Sequence, residues 1–152
     1  MTRPSNLSRP IIESLYNEAL LLADETRAVF AMGMGDAAPD ASDRLRLALS
    51  SEGLKATTRM MHVLAWLLNQ RAFFSGELSE NQLRHHGRLP DDRPSNADDL
   101  ELLETETRAL IEETIKLHRR IARLDQAWAD EFETQPVVHA LRARLDRAIS
   151  MR

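Results

Sequence analysis

Residues 53–78 read GLKATTRMMHVLAWLLNQRAFFSGEL, and the reading of this stretch decides the fold. From Met60 to Leu68 every residue is apolar except His62, and Trp66 is one of two tryptophans in the chain. A surface helix of an ordinary domain shows one apolar stripe about 100° wide. Here Leu54, Met61, Leu64 and Leu68 make such a stripe, while Met60, Val63, Trp66 and Leu67 fill the other directions. A helix that is apolar all round requires cover on more than one side.

The elements on either side read as helices too. Ser8 offers an N-cap and Pro10 suits a first turn, after a loose stretch at 1–7. Ile12, Leu15, Ala19, Leu22, Thr26 and Val29 then step by three and four. Gly33, Gly35 and Pro39 close this helix into a loop. The second helix is expected from Ser42 or Asp43 to Phe74 or Ser75, with Gly53 inside it and Gly76 as its C′ residue. Ser79 and Gln82 have capping-box spacing for a short turn to His86. Residues 87–97, GRLPDDRPSNA, read as a linker with nothing to bury.

Leu100, Leu103, Thr107, Leu110, Thr114, Leu117, Ile121, Leu124 and Trp128 give an unbroken three–four repeat for a third helix. Acidic residues gather at its start and Arg119, Arg120 and Arg123 late, as the helix dipole favours. Gln135-Pro136 is expected to end or restart it. Val138, Leu141 and Leu145 then form a short last helix carrying Arg142, Arg144 and Arg147. The expected fold is therefore all-α: one domain over 1–152, an antiparallel three-helix bundle of long helices plus a short C-terminal helix. Three such helices make a slender rod that cannot cover the whole Met60–Leu68 block, so a homodimer is expected. Met61, Leu64, Trp66, Leu67, Leu68, Leu110, Leu117, Leu124 and Trp128 are the expected core or dimer residues.

Composition narrows the chemistry. The 152 residues carry a net charge of −4, which disfavours non-specific binding to nucleic acid or an acidic membrane surface. There is no cysteine, so disulfides, thiolate metal sites and a cysteine nucleophile are excluded. The longest apolar run is far short of the roughly 20 residues a membrane span needs. The N-terminus lacks the apolar core of a secretory signal, and a cytoplasmic location is expected. No histidine has glutamate three residues before it, as a carboxylate-bridged metal pair in a bundle requires. His85-His86 reads as polar loop, and His62 as a core or interface histidine. Met32 to Gly35 lacks the lysine and preceding strand of a phosphate loop. The expectation is no enzyme and no cofactor. Arg59 is a candidate to clamp a carboxylate or to meet a partner, and Arg71, Arg142, Arg144 and Arg147 are candidates for partner contacts.

The central stretch also resembles a known family. Thr57-Thr58-Arg59-Met60-Met61, Ala65-Trp66-Leu67-Leu68, Gln70-Arg71-Ala72 and Gly76-Glu77 are similar to the signature of the regulator of CtrA degradation (RcdA) family of alphaproteobacterial helical proteins. Ser14 to Ala19 and Arg123-Leu124-Asp125 are weaker echoes. The resemblance implies a non-catalytic adaptor that links ClpXP protease, primed by CpdR, to cell-cycle substrates such as CtrA. It implies a PopA-like cyclic-di-GMP effector as a further partner. Some members of that family carry a disordered C-terminal tail, where this chain has an arginine-bearing amphipathic segment. The rival readings are a dimerisation scaffold with no role in proteolysis, or a regulator that sets its C-terminal arginines on phosphates.

Overall fold

The computed structural model describes residues 5–35 and 42–150, with side chains described except for 5–7, 32–35, 132–140 and 142. Every regular element among them is helical: α1 (Ser5–Gly35), α2 (Asp43–Phe74), α3 (Glu80–His86), α4 (Ala97–Leu102) and α5 (Thr105–Ser150). No helix is long and apolar enough to cross a membrane.

The helix starts follow side-chain chemistry. Ser42 caps α2 by accepting from the Leu45 amide, and Ser79 and Gln82 form a full capping box at α3. At the end of α2, Gly76 adopts φ 82°, the left-handed angle that a C′ residue needs. Two boundaries differ from expectation. α1 already runs at Ser5, so 5–7 are helical where a loose stretch was expected, and 1–4 lie outside the described residues. Ser8 is consequently buried inside the helix and is no cap. α5 continues through Pro136 to Ser150, and the separate C-terminal helix does not exist. A proline costs a helix one hydrogen bond and about 3 kcal/mol, a penalty a 46-residue helix can absorb at one point.

Ile12, Leu15 and Ala19 of α1 meet Met60, Val63, Trp66 and Leu67 of α2 and Leu117, Ile121 and Trp128 of α5 in the main core. A second cluster joins Phe30, Ala48, Ala56, Leu103 and Ile111. A Cβ on Gly53 would stand 2.7 Å from the Phe30 ring, so glycine is what lets α1 and α2 approach there.

The direction of the helices departs from the all-antiparallel expectation. Phe30 lies against Gly53 while Glu13 pairs with Arg71, so α1 and α2 are antiparallel. Arg59, however, reaches Thr114, and Trp66 reaches Asp125, so α2 and α5 run parallel. The return is made by residues 87–96, which lie along both helices as an extended strap. Asp125 receives the Leu89 amide and Glu52 receives the Asn96 amide. Seven extended residues cover about 23 Å. The α2 span from Trp66 back to Glu52 covers about 21 Å. The two lengths match, so the strap lies flat without slack. The loop expected over 87–97 is present, since 87–96 form no helix, but the expectation that it has nothing to bury fails: Gly87 is buried and Leu89, Asp92 and Ser95 are half-buried. Its burial comes through backbone amides, carbonyls and Leu89, none of which composition reports.

Between α4 and α5, Leu103 is extended and its side chain is buried in the second cluster. The three–four repeat passes over this break because Leu103 lands on the core from either conformation.

Trp66 ties these parts together. It is 2% exposed, stacks on Trp128 at 5.5 Å between centroids, and donates from Nε1 to Asp125 at 2.9 Å. Trp66→Ala is expected to lower stability by about 3–5 kcal/mol, read as a large fall in the urea or thermal midpoint. An unshifted midpoint would contradict this packing.

Candidate functional site

The resemblance stretch divides into an inward and an outward face, and the two do different work. Inward, Arg59 is 1% exposed and each of its three side-chain nitrogens has an acceptor. Its Nε donates to both carboxylate oxygens of Asp92 at 2.8–2.9 Å, Nη1 to Thr114 Oγ1, and Nη2 to the Arg93 carbonyl. Thr114 passes its own hydrogen back to the Ile111 carbonyl. Arg59 is thus the clamp of the strap, and the partner-contact reading of this residue is corrected: a guanidinium with every face occupied has nothing to offer a partner.

The strap has three further anchors. Asp125 accepts from Trp66, from Arg88 Nε at 3.0 Å and from the Leu89 amide. His118 Nε2 lies 3.2 Å from the Pro90 carbonyl. Glu52, fully buried, accepts from Lys55 and the Asn96 amide through Oε1, while Oε2 has no hydrogen-bond partner among the described residues. His118 was not singled out from the sequence, and Asp125 figured only in a weaker echo of the family signature. The signal for them was a polar residue falling beside the apolar seam of a helix, which reads equally as a solvated edge.

Arg71 is half-exposed and joins α2 to α1, with its Nε 2.9 Å from Glu13 and its guanidinium 4.4 Å from the centre of the Tyr16 ring. Arg144 and Arg147 are exposed on the far part of α5, whereas the side chain of Arg142 lies outside the described residues. Leu141, Leu145 and Ile149 accompany them at 52%, 61% and 72% exposure. Trp66 stands level with Asp125, Phe74 is eight residues beyond Trp66, and Ser150 is 25 beyond Asp125. The last part of α5 therefore overhangs α2 by about 25 Å.

The outward face of α2 divides the residues expected in the core or at a dimer contact. Trp66, Leu67, Leu110, Leu117 and Trp128 are buried, and Leu64 and Leu124 pack partly buried against the core. Met61 and Leu68, however, are exposed, as are Leu47 and Leu54. These four recur every seven residues, and Ser50, Thr57 and Leu64 stand between them, so the series 47, 50, 54, 57, 61, 64, 68 is a three–four seam. Beside it a groove of about 570 Å³ opens between α1 and α2, with Phe30, Gly53, Met60 and Leu64 in its lining. The all-round apolar character of 60–68 thus resolves into one face in the core and one face open.

Among the described residues no three His, Asp or Glu side chains converge as metal ligands. His85 and His86 are exposed and touch only edge to face. A family model described as a protein of unknown function, DUF1465, matches residues 4–149. The chain belongs to that family. Its match takes in α1 through nearly all of α5, so the strap, the clamp and the seam all fall within the family's domain. No curated protein and no solved structure matches the chain.

Removal of the clamp should be felt first in the strap. Hydrogen bonds to a charged group contribute roughly 1.5–3 kcal/mol, and Asp92 is itself one-quarter exposed, so Arg59→Ala is expected to cost about 2–3 kcal/mol. Trypsin should then cut after Arg88 well before the helices unfold, since Pro94 blocks the bond after Arg93. Wild-type resistance of the strap in that variant would refute the clamp.

Proposed function

We propose that this protein is a non-catalytic adaptor for regulated proteolysis in the cytoplasm. It would join ClpXP, primed by CpdR, to cell-cycle substrates such as CtrA, with a PopA-like cyclic-di-GMP effector among its partners. One observation supports the reading most. A body pinned internally by buried polar groups leaves two separate apolar surfaces open, the α2 seam and the overhanging end of α5. An adaptor needs such an arrangement: rigid spacing between surfaces raises the effective concentration of one partner beside another without any chemistry of its own. Among the residues that carry the resemblance to the RcdA family, Arg59 makes the clamp and Met60, Trp66 and Leu67 lie in the core of that body.

The homodimer belongs to the same proposal. The seam runs for about 30 Å along α2, and a second copy is the simplest cover for an apolar surface of that regularity. On this reading Met61 and Leu68 are dimer residues, and Leu141 and Leu145, flanked by Arg144 and Arg147, remain for other partners. The seam also favours a second reading, a dimerisation scaffold with no role in proteolysis.

Degradation of substrate by CpdR-primed ClpXP, followed while this protein is titrated, separates the two. The adaptor reading predicts acceleration at low substrate that fades at saturation. It also predicts inhibition at high adaptor concentration, when protease and substrate occupy different adaptor molecules. Leu141→Asp, at an exposed position, should weaken delivery and leave helicity intact. Rates unchanged throughout the titration, with every partner present and light scattering still reporting a dimer, would leave the scaffold.

A further inference from the structure

A second groove lies on the other side of the molecule, between α1 and α5. Its volume is about 610 Å³; Ile11, Leu15, Leu124 and Ala127 form an apolar floor, and Arg120 and Arg123 form one wall. Ile11 is 46% exposed although it sits among core neighbours on α1. The wall is the unusual part. Arg120 is bound to Glu18 at 2.7 Å, but Arg123, which is exposed, makes no ion pair among the described residues. Three carboxylates of α1 and α5 are already engaged: Glu13 by Arg71, Glu18 by Arg120, and Asp130 by the Gln126 amide. A chain of net charge −4 therefore keeps uncompensated positive charge along one apolar groove.

The walls are two antiparallel helices, since Glu18 meets Arg120 while Pro10 lies by Ala127 in the same lining. A small ligand is normally buried over most of its surface, and this groove is open along its length. A groove between two helices suits a third, which lays apolar anchors on the floor one turn apart. Opposite charge on the rim then sets orientation and speeds encounter.

We propose that the α1–α5 groove is a docking site for an amphipathic helical segment of a partner protein, bearing aliphatic anchors flanked by Asp or Glu. Its apolar side chains sit over Ile11 and Leu124, and its carboxylates face Arg123. The site does not depend on the adaptor reading, since a chain that bound such a segment without delivering it would satisfy this proposal and fail that one.

The test uses the full-length protein and two fluorescent 14-residue helical peptides. Both carry leucines on one face; one has glutamate at the flanking positions and its twin has lysine. Fluorescence anisotropy at low salt should show the glutamate peptide binding at least tenfold tighter than the lysine twin, with the preference shrinking as salt rises. Arg123→Glu should abolish that preference, and Ile11→Glu should weaken the glutamate peptide about tenfold. Leu54→Glu, on the α2 seam, should leave it unchanged. Circular dichroism checks each fold, and Arg123, being exposed, carries the test alone should Ile11→Glu unfold. Equal binding of the twins, no binding of the glutamate peptide up to 1 mM, or indifference to Arg123→Glu would overturn the proposal. So would loss of binding in Leu54→Glu. A single-stranded RNA that displaced the peptide and bound through the same arginines more tightly would also overturn it.

Discussion

Everything in this structure depends on the extended strap at 87–96 being held against α2 and α5 by buried polar groups. Arg59, Asp125, His118 and Glu52 come from two helices and grip the strap at successive points, through its backbone as much as its side chains. A segment with two prolines and a glycine has no ladder or helix of its own to satisfy its amides and carbonyls. Where its peptides are shielded from water, each unpaired group would cost free energy. Its partners on α2 and α5 remove that cost and fix where it runs. The strap then delivers the chain back to the start of α2, and α5 leaves parallel to α2 instead of antiparallel to it.

That one reversal shapes the surfaces. With α2 and α5 parallel, their C-terminal ends point the same way, and the longer α5 overhangs the body at that end. α1, antiparallel to both, leaves a groove on each side: an apolar one along α2 and a cationic one along α5. The two grooves differ in chemistry because the outward positions differ. On α2 they are Leu54 and Met61, and on α5 they are Arg120 and Arg123. The buried half of the central stretch holds the body rigid, and the open half gives it something to present.

How much of this was legible in the sequence follows from what periodicity can carry. The three long helices, the Ser42 and Ser79 caps, Gly76, and the core-facing positions from Thr107 to Trp128 are all local or periodic, and they stand in the structure as expected. Direction is neither local nor periodic. Leu110, Leu117 and Leu124 form the same seam whichever way α5 runs, so nothing in the repeat distinguishes parallel from antiparallel. The strap was misread because proline and aspartate signal exposure on average, whereas Asp92 and the Pro90 carbonyl each have a buried partner more than 25 residues away. Pro136 misled in the other direction, since its penalty is real and one long helix outlasts it. Met61 and Trp66 shared one apolar run, and only the neighbouring helices decide that one faces inward and the other outward.

The parallel course of α2 and α5 can be measured directly, because the chain has no cysteine to interfere with site-specific spin labels. Labels at Ser50 and Glu106, both exposed, would be placed in one molecule and diluted into unlabelled protein so that only distances within a chain are read. The strap architecture predicts a separation under about 25 Å, set by the spacing of adjacent helices plus the label arms. An antiparallel pair would displace the two sites by about 30 Å along the axis before any lateral spacing is added. A distance distribution centred beyond 35 Å, on the order of that axial displacement, would contradict the account.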